Sequence, residues 1–195
     1  FGFISGNDTP VIWRGPLVSR MTEQFFRDVD WGELDILILD LPPGTGDIQL
    51  TLTQKLRMTG AVIVTTPQDI ALADVRKGAD MFRKVNTPVL GVVENMSGLT
   101  IEGKTNPDNT ILQINGEEIS IDSEGNFRIS LDLFKTGGGE KESERLGVPL
   151  LGKIPISETI MSSTDAGIPL TTQNPMNDIG EIYLDITNQI LSVIK

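Results

Sequence analysis

Two aspartates, Asp40 and Asp47, bracket the stretch of this chain best suited to chemistry, residues 34–47, LDILILDLPPGTGD. An unbroken apolar run ends in the first acid, and a proline- and glycine-containing loop closes on the second. Leu34, Ile36, Leu37, Ile38 and Leu39 show little alternation, which is the pattern of a parallel strand buried on both faces. Such a strand delivers Asp40 to the carboxyl edge of its sheet, where α/β proteins take their ligands. A carboxylate there suits Mg²⁺ on a nucleotide, directly or through water. Pro42 and Pro43 stiffen the following turn, while Gly44 and Gly46 let the backbone come close to a ligand. A solvated acid at the end of a buried strand is the plainer reading of Asp40.

Composition removes other chemistries. The 195 residues contain no cysteine, so they offer no disulfide, no thiol nucleophile and no thiolate for zinc or an iron–sulfur cluster. They contain no histidine either, which excludes a Ser-His-Asp triad and histidine metal sites. A metal held here needs oxygen ligands, which favours Mg²⁺. Sixteen basic against 27 acidic residues give a net charge of −11, unsuited to a general nucleic-acid surface or to stable association with an anionic membrane. No apolar run is long enough to span a bilayer and no signal peptide is visible, so a soluble cytoplasmic protein is the expectation. The chain opens at Phe1 without an initiator methionine, as a fragment or processed piece would.

The elements that must position these residues follow from periodicity. Residues 1–16 read as an irregular or extended lead-in, and Leu17, Met21, Phe25 and Val29 give a helix over about 17–30. After the 34–40 strand, a short helix is expected near 48–58 and a second buried strand at 61–65. Asp69 is the expected N-cap of a helix with Ala71, Val75, Gly78, Phe82 and Val85 on one face. A third strand runs from Pro88 to Val93 and ends at Glu94-Asn95. This alternation predicts a doubly wound, mostly parallel α/β sheet. Residues 99–134 break the pattern with turn signals and short alternating runs. Asn115-Gly116 between two such runs predicts a small antiparallel, hairpin-like insertion. A helix near 140–146, a strand at 149–154, a helix near 157–166 and a final helix over about 176–194 restore α/β order, giving a single domain over 1–195 with one insertion.

IWRGP (12–16), DLPPGTGD (40–47), VIVTTPQDIAL (62–72), PVLGVVENMSG (88–98) and GVPLLGKIPI (147–156) together resemble the Mrp- or ApbC-type iron–sulfur carrier ATPases, relatives of the MinD/ParA-like P-loop NTPases. The resemblance implies a partial P-loop NTPase fold that uses ATP and Mg²⁺. Asp40 then corresponds to the Walker-B acid holding Mg²⁺ through water. Residues 42–47, including Pro42, Gly44, Thr45 and Gly46, correspond to the switch that senses the γ-phosphate. Asp47 then stands near the phosphates or the attacking water, and N-capping of the next helix is its other reading. Asn95 corresponds to the asparagine that reads the adenine edge, since a carboxamide both donates and accepts; an ordinary strand-to-loop turn is the alternative. Arg14 corresponds either to a phosphate or partner contact or to a surface ion pair. Pro67, Gln68 and Asp69 couple nucleotide state to a dimer interface or simply form a capped turn.

The chain departs from that family in two places. The phosphate loop G-x-x-x-x-G-K-[ST] does not occur in it, and Gly137-Gly138-Gly139-Glu140-Lys141 has the wrong spacing and follows no buried strand. The sequence is thus expected to be the carboxyl-terminal portion of a longer protein, with little ATP binding of its own. The C-x-x-C pair expected after ENMSG is replaced by the 99–134 segment, which brings no sulfur ligand. The implied function is an ATP-dependent carrier of iron–sulfur assembly, acting as a homodimer with assembly or recipient proteins as partners. A MinD/ParA-like switch that positions another partner, and a non-catalytic interaction fragment, are the alternatives.

Overall fold

The computed structural model describes residues 23–41, 47–106, 111–114, 116–173 and 177–194. Its centre is β2 (Val89–Lys104), which is flanked by β1 (Ala61–Thr65) on one side and β6 (Leu150–Ile156) on the other, both parallel to it. Register runs from Ala61↔Val89 to Thr65↔Glu94 with β1, and from Val92↔Leu150 through Asn95↔Ile154 to Leu99↔Ile156 with β6. These strands are built from the β-branched and aliphatic runs that fit a pleated surface covered on both sides.

Helices lie on both faces of the sheet. On one, α2 (Asp69–Lys84) and α3 (Gly138–Leu146) bury Ala79, Met81, Phe82 and Leu146 against Ala61, Ile63 and Val92. On the other, α6 (Asp178–Ile194) packs Ile182, Tyr183, Ile186 and Ile190 against Val93, Leu151 and Ile154. Gly152 permits this approach, because a Cβ there would sit 2.8 Å from Ile186 Cδ1. Ser157 caps α4 (Glu158–Asp165), accepting hydrogen bonds from the amides of Thr159 at 3.1 Å and Ile160 at 3.4 Å. The short α5 (Leu170–Gln173) was not expected from the sequence.

The insertion forms as predicted, with one addition. β3 (Leu112–Ile114) and β4 (Glu117–Ile119) make the small hairpin, and β5 (Asn126–Leu131) is the third strand. β2 does not stop at Asn95. Positive φ at Met96 (55°) and Gly98 (81°) turns the strand, and residues 99–104 continue as an antiparallel ribbon with β5, from Leu99↔Leu131 to Lys104↔Asn126.

Three expectations are corrected. Residues 34–40 are not a strand: Leu34, Ile36, Leu37 and Ile38 are exposed, Ile38 at 86 %. An apolar run calls for ladder partners and for cover on both faces. Among the described residues β1 pairs only with β2, so neither is supplied to 34–40. Of the expected 17–30 helix, 23–27 is helical, Asp28 to Val29 turn away, and 17–22 lie outside the described residues. The N-cap of α2 is Gln68 rather than Asp69, with extended backbone (φ −70°, ψ 137°) and no side-chain capping bond. Asp69 has a different attachment, because its carboxylate is taken by Lys135.

Candidate functional site

Parallel strands send their carboxyl ends to one edge, and of the expected site residues Asn95 stands there. β1 ends at Thr65 and passes through Thr66-Pro67-Gln68 into α2, while its neighbour β2 reaches Glu94 and Asn95 in the adjoining register. Asn95 is half-buried, and its Oδ1 accepts the Met96 amide at 2.9 Å. That bond fixes the orientation of the carboxamide, and a second lone pair on Oδ1 and the two Nδ2 hydrogens remain for a ligand. The arrangement fits the edge of a purine base.

Asp69 lies exposed on the same edge, and the Lys135 ammonium holds its carboxyl below the ordinary aspartate value, first through a hydrogen bond and then through charge. Lys135 belongs to the segment returning from the insertion, so this pair ties that segment to the β1–α2 turn. The pair is solvent-exposed and contributes little to stability.

Sequence reasoning passed over a residue beneath this edge. Glu94 is only 1 % exposed, yet it carries a carboxylate. Its Oε1 accepts from Ser97 Oγ at 2.6 Å and its Oε2 from the Gly139 amide at 2.6 Å. The second bond explains the three glycines. Gly137 is the N-cap of α3 in left-handed backbone (φ 75°) and has no side chain to cap with, so Glu94 reaches across from β2 to satisfy the helix terminus. A Cβ on Gly139 would fall 2.8 Å from Glu94 Cβ, and one on Gly138 would fall 2.6 Å from the Pro67 carbonyl oxygen. The glycines therefore serve helix-to-strand packing, and the Gly139 amide is engaged by Glu94. An acid inside an otherwise apolar strand end was the available signal.

The two candidate acids border a segment outside the described residues. Asp40 is exposed and precedes Leu41, which packs on the Ala61–Ile63 cluster. Asp47 opens α1 (Asp47–Lys55). Pro42, Gly44, Thr45 and Gly46 lie outside the described residues, as does Arg14. Among the described residues no cluster of three acidic, histidine or cysteine side chains exists. A surface groove does occur on the ribbon, lined by Glu102, Gly103, Asp122, Asn126, Phe127 and Arg128, away from the carboxyl edge. Its Asp122 is committed to its own turn, accepting from the amides of Glu124 and Asn126 and from Asn126 Nδ2 at 2.8–2.9 Å.

The family model described as ParA, NUBPL iron-transfer P-loop NTPase, matches residues 1–131 and 117–191. The iron–sulfur cluster transfer protein NUBPL of Dictyostelium discoideum is 39 % identical over 194 residues, covering 100 % of this chain and 53 % of that protein. The iron–sulfur cluster carrier protein of Synechocystis is 43 % identical over 194 residues, covering 100 % and 49 %. The chain thus spans about half the length of these curated relatives. Among solved structures, an Archaeoglobus fulgidus nucleotide-binding protein in complex with ADP is 35 % identical with a TM-score of 0.56, over 77 % of this chain and 53 % of that one. The Pyrococcus furiosus cell-division ATPase MinD, 18 % identical with a TM-score of 0.54 over 90 % and 57 %, shares the fold alone. The fold is that of the P-loop NTPases, and with the match running over nearly all its length the chain belongs to the NUBPL iron-transfer P-loop NTPase family.

Proposed function

We propose that these residues form the base-reading and switch portion of an ATP-dependent iron–sulfur cluster carrier, folded as a single partial nucleotide-binding domain over 1–195. The observation that carries the reading is the carboxyl edge itself. There Asn95 is oriented by Met96, beside the β1–α2 turn and above a buried acid, within a family of iron-transfer NTPases. No phosphate loop is encoded in these 195 residues, so the role concerns them as part of a protein of the relatives' length.

In that protein Asn95 donates to and accepts from the adenine edge. Asp40 holds a water of the Mg²⁺ shell. Asp47 and the 42–46 loop, with Pro42, Gly44, Thr45 and Gly46, follow the γ-phosphate. Mg·ATP, when bound, supplies a phosphoryl group whose transfer rests on positioning and electrostatics, with no covalent role for the protein. The cluster is cargo. No thiolate of this chain holds it, so its ligands come from residues beyond these 195 or from a partner. The protein works as a cytoplasmic homodimer that hands clusters between assembly and recipient proteins. Among the described residues no helix is long and apolar enough to cross a membrane.

The test is Asp40→Ala in the full-length protein. Mg²⁺-dependent ATP hydrolysis is expected to vanish, and unchanged turnover would remove Asp40 from the site. The MinD-like alternative, a switch with a different client, predicts hydrolysis with no cluster transfer to an apo acceptor.

A further inference from the structure

Among the described residues Glu94 is the fully buried acid at the proposed nucleotide edge, and none of the roles above uses it. Strand alternation sets its relation to Asn95. Val92 packs on the α2/α3 side and Val93 on the α6 side, so Glu94 and Asn95 face opposite sides of β2 at successive positions paired with β6. Fixing one side chain therefore fixes the roll of the backbone that carries the other. Glu94 is fixed twice. Oε2 is bonded to the α3 terminus at Gly139, and Oε1 to Ser97, which lies between the two left-handed positions Met96 and Gly98. The Met96 amide bonded to Asn95 Oδ1 lies inside that same turn.

We infer that Glu94 is a positioning residue for base recognition. Its carboxylate clamps the Met96–Gly98 turn to the amino terminus of α3 and thereby holds the Asn95 carboxamide in the orientation that reads adenine. The glycines at 138 and 139 belong to the same device, since a side chain at either would push α3 off Pro67 or Glu94. This inference rests on the nucleotide reading above and adds to it the residue that sets base specificity. Both hydrogen bonds are charge-assisted and short, the kind strong enough to hold a turn in place.

The experiment compares ATP with tripolyphosphate as calorimetric ligands of the full-length protein, because only ATP presents a base. Glu94→Ala is expected to weaken ATP by about tenfold, the equivalent of one lost hydrogen bond of recognition, and to leave tripolyphosphate unchanged. Glu94→Gln keeps an acceptor for the Gly139 amide and is expected to restore most of the ATP affinity. Asn95→Ala separates the two levels of the argument. If Asn95→Ala loses ATP affinity while Glu94→Ala keeps it, the clamp is wrong and the nucleotide reading stands. If both keep it, the base site itself is wrong. An equal loss of ATP and tripolyphosphate in Glu94→Ala marks a general structural effect and overturns the positioning role. Should Glu94→Ala not fold, Ser97→Ala carries the test, since it releases one carboxylate oxygen only. Wild-type ATP affinity in Ser97→Ala then refutes the clamp, and a selective loss of ATP supports it.

Discussion

Glu142→Ala gives a direct measure of what joins the two helices on one face of the sheet. Glu142, on α3, is fully buried. Arg145 one turn on donates Nε to both carboxylate oxygens at 3.0 Å and Nη2 to Oε1 at 2.7 Å, and Arg76 of α2 approaches at 3.4 Å. Arg145 also reaches Asp80 of α2 at 3.3 Å, so the cluster bridges the helices. These acids, Glu142 first, raise the Arg145 guanidinium above its ordinary value, and it stays charged wherever the protein is folded. Breaking a wholly buried ion pair costs roughly 3–5 kcal/mol, most of it from the charge left unpaired. Here the abandoned cations can turn to water, because the Arg145 and Arg76 side chains are 32 % and 53 % exposed. The expected loss is therefore lower, about 2–3 kcal/mol. At about 2–4 °C per kcal/mol for a chain of this size, the midpoint of thermal unfolding falls by roughly 4–12 °C. Glu142→Gln preserves shape and one acceptor and should cost about half as much. Urea unfolding at constant m checks both. An alanine variant within about 0.5 kcal/mol of the parent would refute the reasoning, because surface-like pairs behave that way.

Gly152→Ala places a Cβ 2.8 Å from Ile186 Cδ1, and because that atom ends a flexible side chain, a loss of about 1–2 kcal/mol is expected. Adding Ile186→Val should recover part of it in a double-mutant cycle, and strict additivity would count against the contact. Ser157→Ala removes the side-chain cap of α4 and should cost about 1 kcal/mol by urea unfolding, with Ser157→Thr near neutral. The Asp122 carboxyl is held low, first by the Asn126 side chain and then by the backbone amides of Asn126 and Glu124. Its contribution to the turn is thus complete above the unfolded value of about 3.9 and is lost as pH falls through the lowered folded value. An NMR titration should show the Glu124 and Asn126 amide shifts moving only below about pH 4, and a midpoint at or above the unfolded value would contradict the geometry. Ile38 is 86 % exposed, so Ile38→Ala in this chain should change stability by less than about 0.5 kcal/mol. In the full-length protein the same change should cost about 2–4 kcal/mol if 34–40 becomes a covered strand there.

What could be read from the sequence was what local pattern decides. β1, the first half of β2, and β6 announced themselves as aliphatic runs between turns, and α6 by isoleucines at helical spacing. Asn115-Gly116 gave the hairpin of β3 and β4, with Gly116 at φ 87°. The 34–40 run misled because apolarity records a demand for cover and cannot show that the cover is present. The extension of β2 through Lys104 was hidden for the opposite reason. Its residues are mixed in polarity and are held by the β5 ladder, which only the folded chain reveals. Asp69 looked like a cap because acids cap helices, yet its partner Lys135 lies 66 residues away and outcompetes the local amides. Glu94 and Gly139 are 45 residues apart, and no window of sequence contains both.

That last pairing bears on how the family fold accommodates the 99–134 segment. The segment follows the Met96–Gly98 turn within β2 and returns just before Gly139, and Ser97 and Gly139 are both bonded to the same Glu94 carboxylate at 2.6 Å. Lys135 adds a third attachment, to Asp69 on the neighbouring turn. Whatever lies between is therefore a side loop on a closed stem, and its composition can change without altering the geometry of Asn95. Deleting residues 100–130 and joining the ends with a short glycine linker should then leave the fold of β1, the 89–95 part of β2, β6 and α3 intact. Closing so short a loop costs little entropy when both ends are already pinned by one side chain.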